Sequence, residues 1–353
     1  MQGMPGWIVL MAALASSPSA TTRPGVHFEH HDWLLACDNT GTCRAAGYQP
    51  GGGDLPVSVL LTRHAGPGQT VTAEVQIGDA WDASGESAQE AFPLTLRIDG
   101  GDLGTVAADG ALSSPQTAAL LGALARDTRI EWIAPGGTVY PLSDHGAAAV
   151  LLKMDETQGR LGTPGALMRK GTRDESQVPA ARPMPVIDLP ALDDAGIALS
   201  PDEHTALLRE LEAQLEPDAC PSLSFGNDGN PVSDLSISGL SNGKRLVSAH
   251  CWLAAYNSGS AFWVINAEAP YGPVLVTTDG NEYYRGRIEA GHKGRGVGDC
   301  WGSRTWTWNG ETFVGSHEQT TGLCRGFPGG AWSLPTLVSE VREDASPAGS
   351  DGR

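Results

Sequence analysis

Six cysteines constrain this chain more than any other feature: Cys37, Cys43, Cys220, Cys251, Cys300 and Cys324. Their number is even, they are scattered, and none forms a Cys-x-x-Cys pair. Structural zinc sites usually bring their sulfurs in such close pairs, so a cysteine-built zinc centre is not indicated. In an oxidising compartment, even and scattered cysteines form disulfides. Composition leaves the pairing open among many combinations. Sequence neighbours are preferred: Cys37 with Cys43, Cys220 with Cys251, Cys300 with Cys324. The first and last would each close one turn or hairpin, and the middle pair follows mainly by elimination.

The N-terminus agrees with export. No Lys or Arg precedes Arg23, Trp7 to Ala15 is a short apolar core, and Ala13-Leu14-Ala15 and Pro18-Ser19-Ala20 offer small residues for cleavage. Residues 1–20 therefore read as a secretory signal with a weak basic region, the alternative being a disordered tail. The apolar core is too short to span a bilayer, and no later stretch is long enough, so no transmembrane segment is expected. The expected location is periplasmic or secreted. The formal charge of −18 argues against nucleic acid and anionic membranes as partners, and favours solubility.

Gly (46) and Pro (24) are plentiful while charged residues make up 18%, a composition that favours turns and short strands. The chain reads as α+β, in two β-rich units. Residues 26–162 form an N-terminal α+β unit, with strands at His27 to Ala36, Arg44 to Gln49, Val57 to Arg63, Val71 to Ile77 and Leu94 to Ile98. Ser114-Pro115 starts one helix, and a second begins near Ser143. Residues 163–199 read as an extended Pro-rich linker. Residues 200–340 form a small C-terminal β sandwich or barrel with one packed helix. Ser200 and Glu203 make a capping box for that helix, and Leu207, Leu208, Leu211 and Leu215 give its apolar stripe. Asn242-Gly243 and Asn309-Gly310 mark hairpins. Residues 341–353 read as a disordered acidic tail.

The run from His31-Asp32-Trp33 through Cys37-Asp38-Asn39-Thr40-Gly41-Thr42-Cys43 to Gln49 resembles the opening of a proteobacterial exported family, a domain of unknown function (number eleven seventy-six). Its Trp, two Cys and Gln also resemble the invasion-associated locus B proteins. Three later segments are similar to the first family: Met154 to Arg160 (MDETQGR), Gly294 to Trp301 (GRGVGDCW) and Thr321 to Phe327 (TGLCRGF). The resemblance implies an exported protein and carries over no reaction. The locus B likeness covers the N-terminal part alone, and a role in invasion would be analogy.

Several motifs match chemistry only superficially. Gly239 to Gly243 fits G-x-S-x-G around Ser241, and Ser241 to Lys244 fits S-x-x-K. Both need the serine at a strand-to-helix turn or helix start, whereas here strand follows strand, so no catalytic residue is assigned. In the cluster His27, Glu29, His30, His31 and Asp32, the side chains of His27, Glu29 and His31 would share one face of a strand, and two imidazoles and a carboxylate can hold zinc if further ligands come from elsewhere. A solvated strand face is the preferred reading, and neither metal nor cofactor is assigned. His250 adjoins Cys251, but neighbours on a strand point to opposite faces, so a Cys-His catalytic pair is not formed.

The stretch Tyr283 to Trp301 concentrates cations in an acidic chain: Arg285, Arg287, His292, Lys293 and Arg295 among Gly291, Gly294, Gly296 and Gly298. Such a loop can form an anion-holding nest, with Arg adding bidentate recognition. The alternative is a solvated loop whose cations pair with local acids. Asp299, Trp301 and Arg325 would border it if Cys300 and Cys324 are joined. Trp306 and Trp308 are expected in the core, and Trp263 and Trp301 partly exposed. The expected binding residues are Arg285, Arg287, Lys293, Arg295, Asp299, Trp301 and Arg325. The expected function is a non-enzymatic envelope module for an anionic glycan or an exported protein partner, the alternatives being a periplasmic hydrolase or an enzyme inhibitor.

Overall fold

The structure, a computed structural model, describes residues 25–51, 53–78, 92–193, 199–223 and 234–343. The expected signal sequence lies outside these residues, as does most of the expected tail. The described chain is β-dominated, with three α-helices.

The first sheet is an antiparallel meander of β1 (Val26–His30), β2 (Trp33–Cys37), β3 (Cys43–Tyr48), β4 (Val57–Arg63) and β5 (Val71–Ile77). Every residue of β2 is buried, as a continuous apolar run demands. Trp33 and Leu35 face α1 (Ser114–Leu124), α2 (Ala147–Thr157) and a second sheet, where they meet Leu96, Leu120, Trp132 and Met154. That second sheet runs in the order β7 (Gly101–Thr105), β6 (Thr95–Ile98), β8 (Ile130–Ile133), β9 (Val139–Leu142). Leu34, Ala46 and Tyr48 face the other way, onto Phe327, Trp332 and Leu334. C-terminal residues thus cover the outer face of the N-terminal sheet.

A third sheet contains β11 (Ser236–Gly239), β12 (Lys244–Leu253), β13 (Ser258–Asn266) and β14 (Val274–Gly280). Helix α3 (Pro201–Glu212) lays Leu207, Leu208 and Leu211 on its Val247, Trp263 and Ile265 face. The opposite face, with Leu246, Phe262 and Val264, packs on Ile288, Trp306 and Trp308 of a fourth sheet. The fourth sheet runs β15 (Glu282–Tyr284), β16 (Arg287–Lys293), β17 (Trp301–Trp308), β18 (Phe313–Thr320), β19 (Leu334–Leu337). The three disulfides join Cys37 to Cys43, Cys220 to Cys251 and Cys300 to Cys324.

Four details differ from the sequence reading. The run His27 to Ala36 is broken, because His31 takes a left-handed φ of 55° and turns the chain between β1 and β2. The cap of α1 is Ser113, whose hydroxyl accepts from the Gln116 N–H, not Ser114. The stretch read as a linker carries β10 (Val186–Leu189), which pairs in parallel with β20 (Glu340–Glu343). Val341, Arg342 and Glu343, assigned to a disordered tail, belong to that two-stranded ladder.

The same stretch also completes a buried polar network. Arg63 donates from Nη2 to Asp155 Oδ1 at 2.7 Å and from Nε to Gln158 Oε1 at 2.6 Å. The second Asp155 oxygen accepts from the Leu167 and Met168 N–H groups at 2.7 and 2.9 Å. Arg160, fully buried, pairs with Glu175. Burial pushes the Arg63 guanidinium below its ordinary value, and the Asp155 carboxylate counters that push. A buried cation of this kind tolerates burial only with its partner present. Asp155→Ala should therefore cost about 3–5 kcal/mol of stability in urea unfolding; a loss below about 1 kcal/mol would show that water replaces the carboxylate.

Candidate functional site

The fourth sheet extends beyond the apolar cover that the third sheet provides. Along β16, Ile288, Ala290 and His292 share one face. Register places Trp306 opposite Ile288, Arg304 opposite Ala290, and Gly302 opposite His292. On the next strand, Glu318 stands opposite Arg304 and Thr320 opposite Gly302. Ile288 and Trp306 end the core. Past them the same face turns polar and lines a cavity of about 520 Å³. Thr277 and Asp279 of β14 line it from the third sheet, and Lys293 and Trp301 from the strand ends.

Its cations sit over indoles. The Lys293 ammonium lies 5.3 Å from the centre of the Trp301 ring, and the Arg304 guanidinium 5.0 Å from that of Trp306. Arg304 also faces Glu318, Nε to Oε2 at 3.6 Å, and both side chains are about half exposed. His292 packs at 5.4 Å from Trp252. Cationic, acidic and hydroxyl groups thus meet on an aromatic base.

The rim is held by a chain of contacts through the Cys300–Cys324 disulfide. Gly294 is required there, because a Cβ would sit 2.6 Å from the Cys300 sulfur. Gly294 N–H donates to the Cys300 carbonyl, and Gly298 N–H to that of Arg295. Arg295 clamps the buried Asp299 carboxylate through two nitrogens, and Asp299 also accepts from the Gly326 N–H at 2.7 Å. Arg325 donates to Asp32 at 2.7 Å. Asp299, Cys300 and Cys324 lie close together, but disulfide sulfurs offer no thiolate to a metal.

Of the expected binding residues, Lys293 and Trp301 line the cavity. Arg295, Arg325 and Arg287 are engaged with Asp299, Asp32 and Glu343. Arg285 takes a left-handed φ of 43° and lies over the Tyr284 ring. Arg304, Glu318 and Asp279 are cavity residues that sequence reasoning missed. Counting back from the Trp308–Phe313 pair would set Arg304 opposite His317. A bulge between Thr305 and Trp306 shifts the register by one and brings Glu318 opposite instead. Trp263, expected to be partly exposed, is fully buried under α3. Ser241 lies in the hairpin between β11 and β12, where its hydroxyl accepts from the Trp308 indole N–H at 2.8 Å. His250 is exposed and Cys251 buried.

Residues 27–339 match the family described as "Protein of unknown function (DUF1176)". The chain belongs to this family. It is 23% identical over 332 residues to "Uncharacterized protein YpfG" of Escherichia coli (strain K12), covering 87% of this chain and 90% of that protein. No solved structure matches. The likeness to invasion-associated locus B proteins is not among what these comparisons show.

The rim carries a pH signature. Burial would raise the Asp299 pKa, but the Arg295 guanidinium and the Gly326 N–H outweigh it and hold the carboxyl below its ordinary 3.8. A depressed value contributes stability above that ordinary value, lost as pH falls through the folded one. Wild type should therefore melt above Asp299→Asn at neutral pH, and the gap should close in acid below about pH 4. An equal gap at about pH 3 and about pH 7 would mean the side chain acts by shape and hydrogen bonding alone.

Proposed function

We propose that this chain is an exported, non-enzymatic binding module of the cell envelope. Its ligand is a carboxylated or phosphorylated glycan held in the cavity over the fourth sheet. The observation that carries this reading is the pair of cations poised over Trp301 and Trp306 within one polar cavity. Trp301, partly exposed, offers apolar ring surface to a sugar, and Thr320 and Asp279 can bond its hydroxyls. Arg304 offers a planar fork to an anionic substituent. The Arg304–Glu318 pair is exposed and loosely spaced, so an incoming carboxylate or phosphate displaces Glu318 at little cost.

Export is supported by three disulfides, by the absence of free cysteines among the described residues, and by the apolar N-terminal stretch. Among the described residues, no helix is long and apolar enough to cross a membrane. In this reading, residues 26–162 and 200–340 are two units, and the cavity belongs to the second.

The net charge of −18 opposes long-range attraction of an anion. Recognition then relies on short contacts, and added salt should leave affinity flat or raise it. Calorimetric titration and thermal melts with muropeptides and phosphorylated glycans test this. A ligand at about a hundred times its dissociation constant stabilises the fold by roughly 2.7 kcal/mol. Trp301→Ala and Arg304→Ala should each weaken binding about tenfold or more, roughly 1.4 kcal/mol. The reading fails if no anionic glycan raises the melting temperature, or if both variants bind as wild type does. A stable complex with another exported protein would instead support an interaction role.

A further inference from the structure

We infer that His30, His31 and His145 form a binding site for a divalent transition metal of the zinc type. His30 ends β1, His31 is the turn residue after it, and His145 precedes α2, more than a hundred residues later in the chain. The His31 and His145 rings stack with centroids 3.8 Å apart, and the His30 ring lies 4.3 Å from His31. All three side chains are exposed and line a cavity of about 580 Å³, together with Asp127 and Asp144.

The backbone beneath them is fixed by buried contacts. The Asp32 N–H donates to the His145 carbonyl at 3.2 Å, and the Trp33 indole N–H to the Ser143 carbonyl at 2.7 Å. Ser143 Oγ donates to Asp32 Oδ2 at 2.6 Å. Gly146, with φ of 100°, lies so close that a Cβ there would sit 2.0 Å from the His30 carbonyl oxygen. A backbone fixed by these contacts presents three exposed imidazoles at one spot. Zinc binds imidazole nitrogen at about 2.0–2.1 Å, so histidines sharing one ion have rings a few ångströms apart. As placed, His31 and His145 are stacked nearly parallel, so sharing one ion requires the exposed rings to rotate out of the stack until their nitrogens converge. Water or a carboxylate of the cavity completes the shell.

Charge favours the same use. Asp127 and Asp144 offset the charge of the ion, and Arg126 opposes it. The His27–Glu29 pair, Nε2 to Oε1 at 3.4 Å, is a separate feature of β1.

The test is calorimetric titration of the untagged, oxidised full chain with zinc chloride alone, with cobalt absorption as a second readout. One ion should bind per chain. His31→Asn keeps a residue that tolerates the left-handed turn and removes the imidazole. His31→Asn and His145→Gln should each weaken zinc binding at least tenfold, and the double variant should abolish it. His27→Gln should bind as wild type does. The inference is overturned if wild type shows no saturable zinc binding at neutral pH. It also falls if the double variant, folded by circular dichroism, binds with unchanged affinity, or if His27→Gln alone removes binding.

Discussion

The Asp32 carboxylate is the contact on which the arrangement of distant segments depends. It is 8% exposed, and each oxygen serves a different part of the chain. One accepts from Ser143 before α2, and the other from Arg325 beside the Cys300–Cys324 disulfide. A buried pair of this kind adds little net stability, because desolvation offsets much of the attraction. Its consequence is positional: a shift of Ser143 strips one carboxylate oxygen of its donor, and a shift of Arg325 leaves the charge unpaired. Around it, Gln49 donates to the Arg325 carbonyl, Tyr48 accepts from the Leu323 N–H, and Trp332 donates to Ser58. The C-terminal segment is thereby fixed on the outer face of the first sheet. The disulfide follows, and with it Asp299, Arg295 and the rim of the cavity.

Local chemistry was legible in the sequence and long-range pairing was not. Ser200 and Glu203 make a capping box because both partners lie within four residues. Asn242 and Gly243 take φ of 58° and 66°, as their dipeptide requires. The disulfides join sequence neighbours, so spacing pointed to the first and last pairs and elimination to the middle one. Arg295 has its acid four residues on, at Asp299, and the alternative of local pairing was visible there. Arg325 finds Asp32 almost three hundred residues away, and Arg287 finds Glu343 on a strand that composition marked as tail. Pro-rich composition says that a segment resists helix. It does not say whether its backbone and acids will be needed by a buried charge, as those of Leu167, Met168 and Glu175 are.

The cavity was legible only at its end. Lys293 and Trp301 stand where glycines and cations cluster, which composition reveals. Arg304, Glu318 and Asp279 sit on ordinary strands, and what singles them out is register and the loss of apolar cover. Register depends on one bulge, and a one-residue slip moves every later side chain to a new neighbour. Trp306 was read as core and belongs to it, yet one side of its ring also borders the cavity.

The segments that carry the family likeness are those that hold the frame. In the opening run, Asp32 and Trp33 lock the loop before α2. Asp38 closes its own turn by accepting from the Thr40, Gly41 and Thr42 N–H groups. Met154 to Arg160 supplies Asp155, Gln158 and Arg160 to the buried network. Cys300 and Asp299 meet Cys324 and Gly326 across the last two segments. Such residues identify a scaffold, and a scaffold does not by itself fix a ligand. Trp301 is where the two roles join. Its backbone N–H is held by Thr321 and its indole N–H by the Gly298 carbonyl, while its ring face receives Lys293 at the cavity. The frame therefore sets the angle of the one aromatic surface that sequence and structure both place at the site.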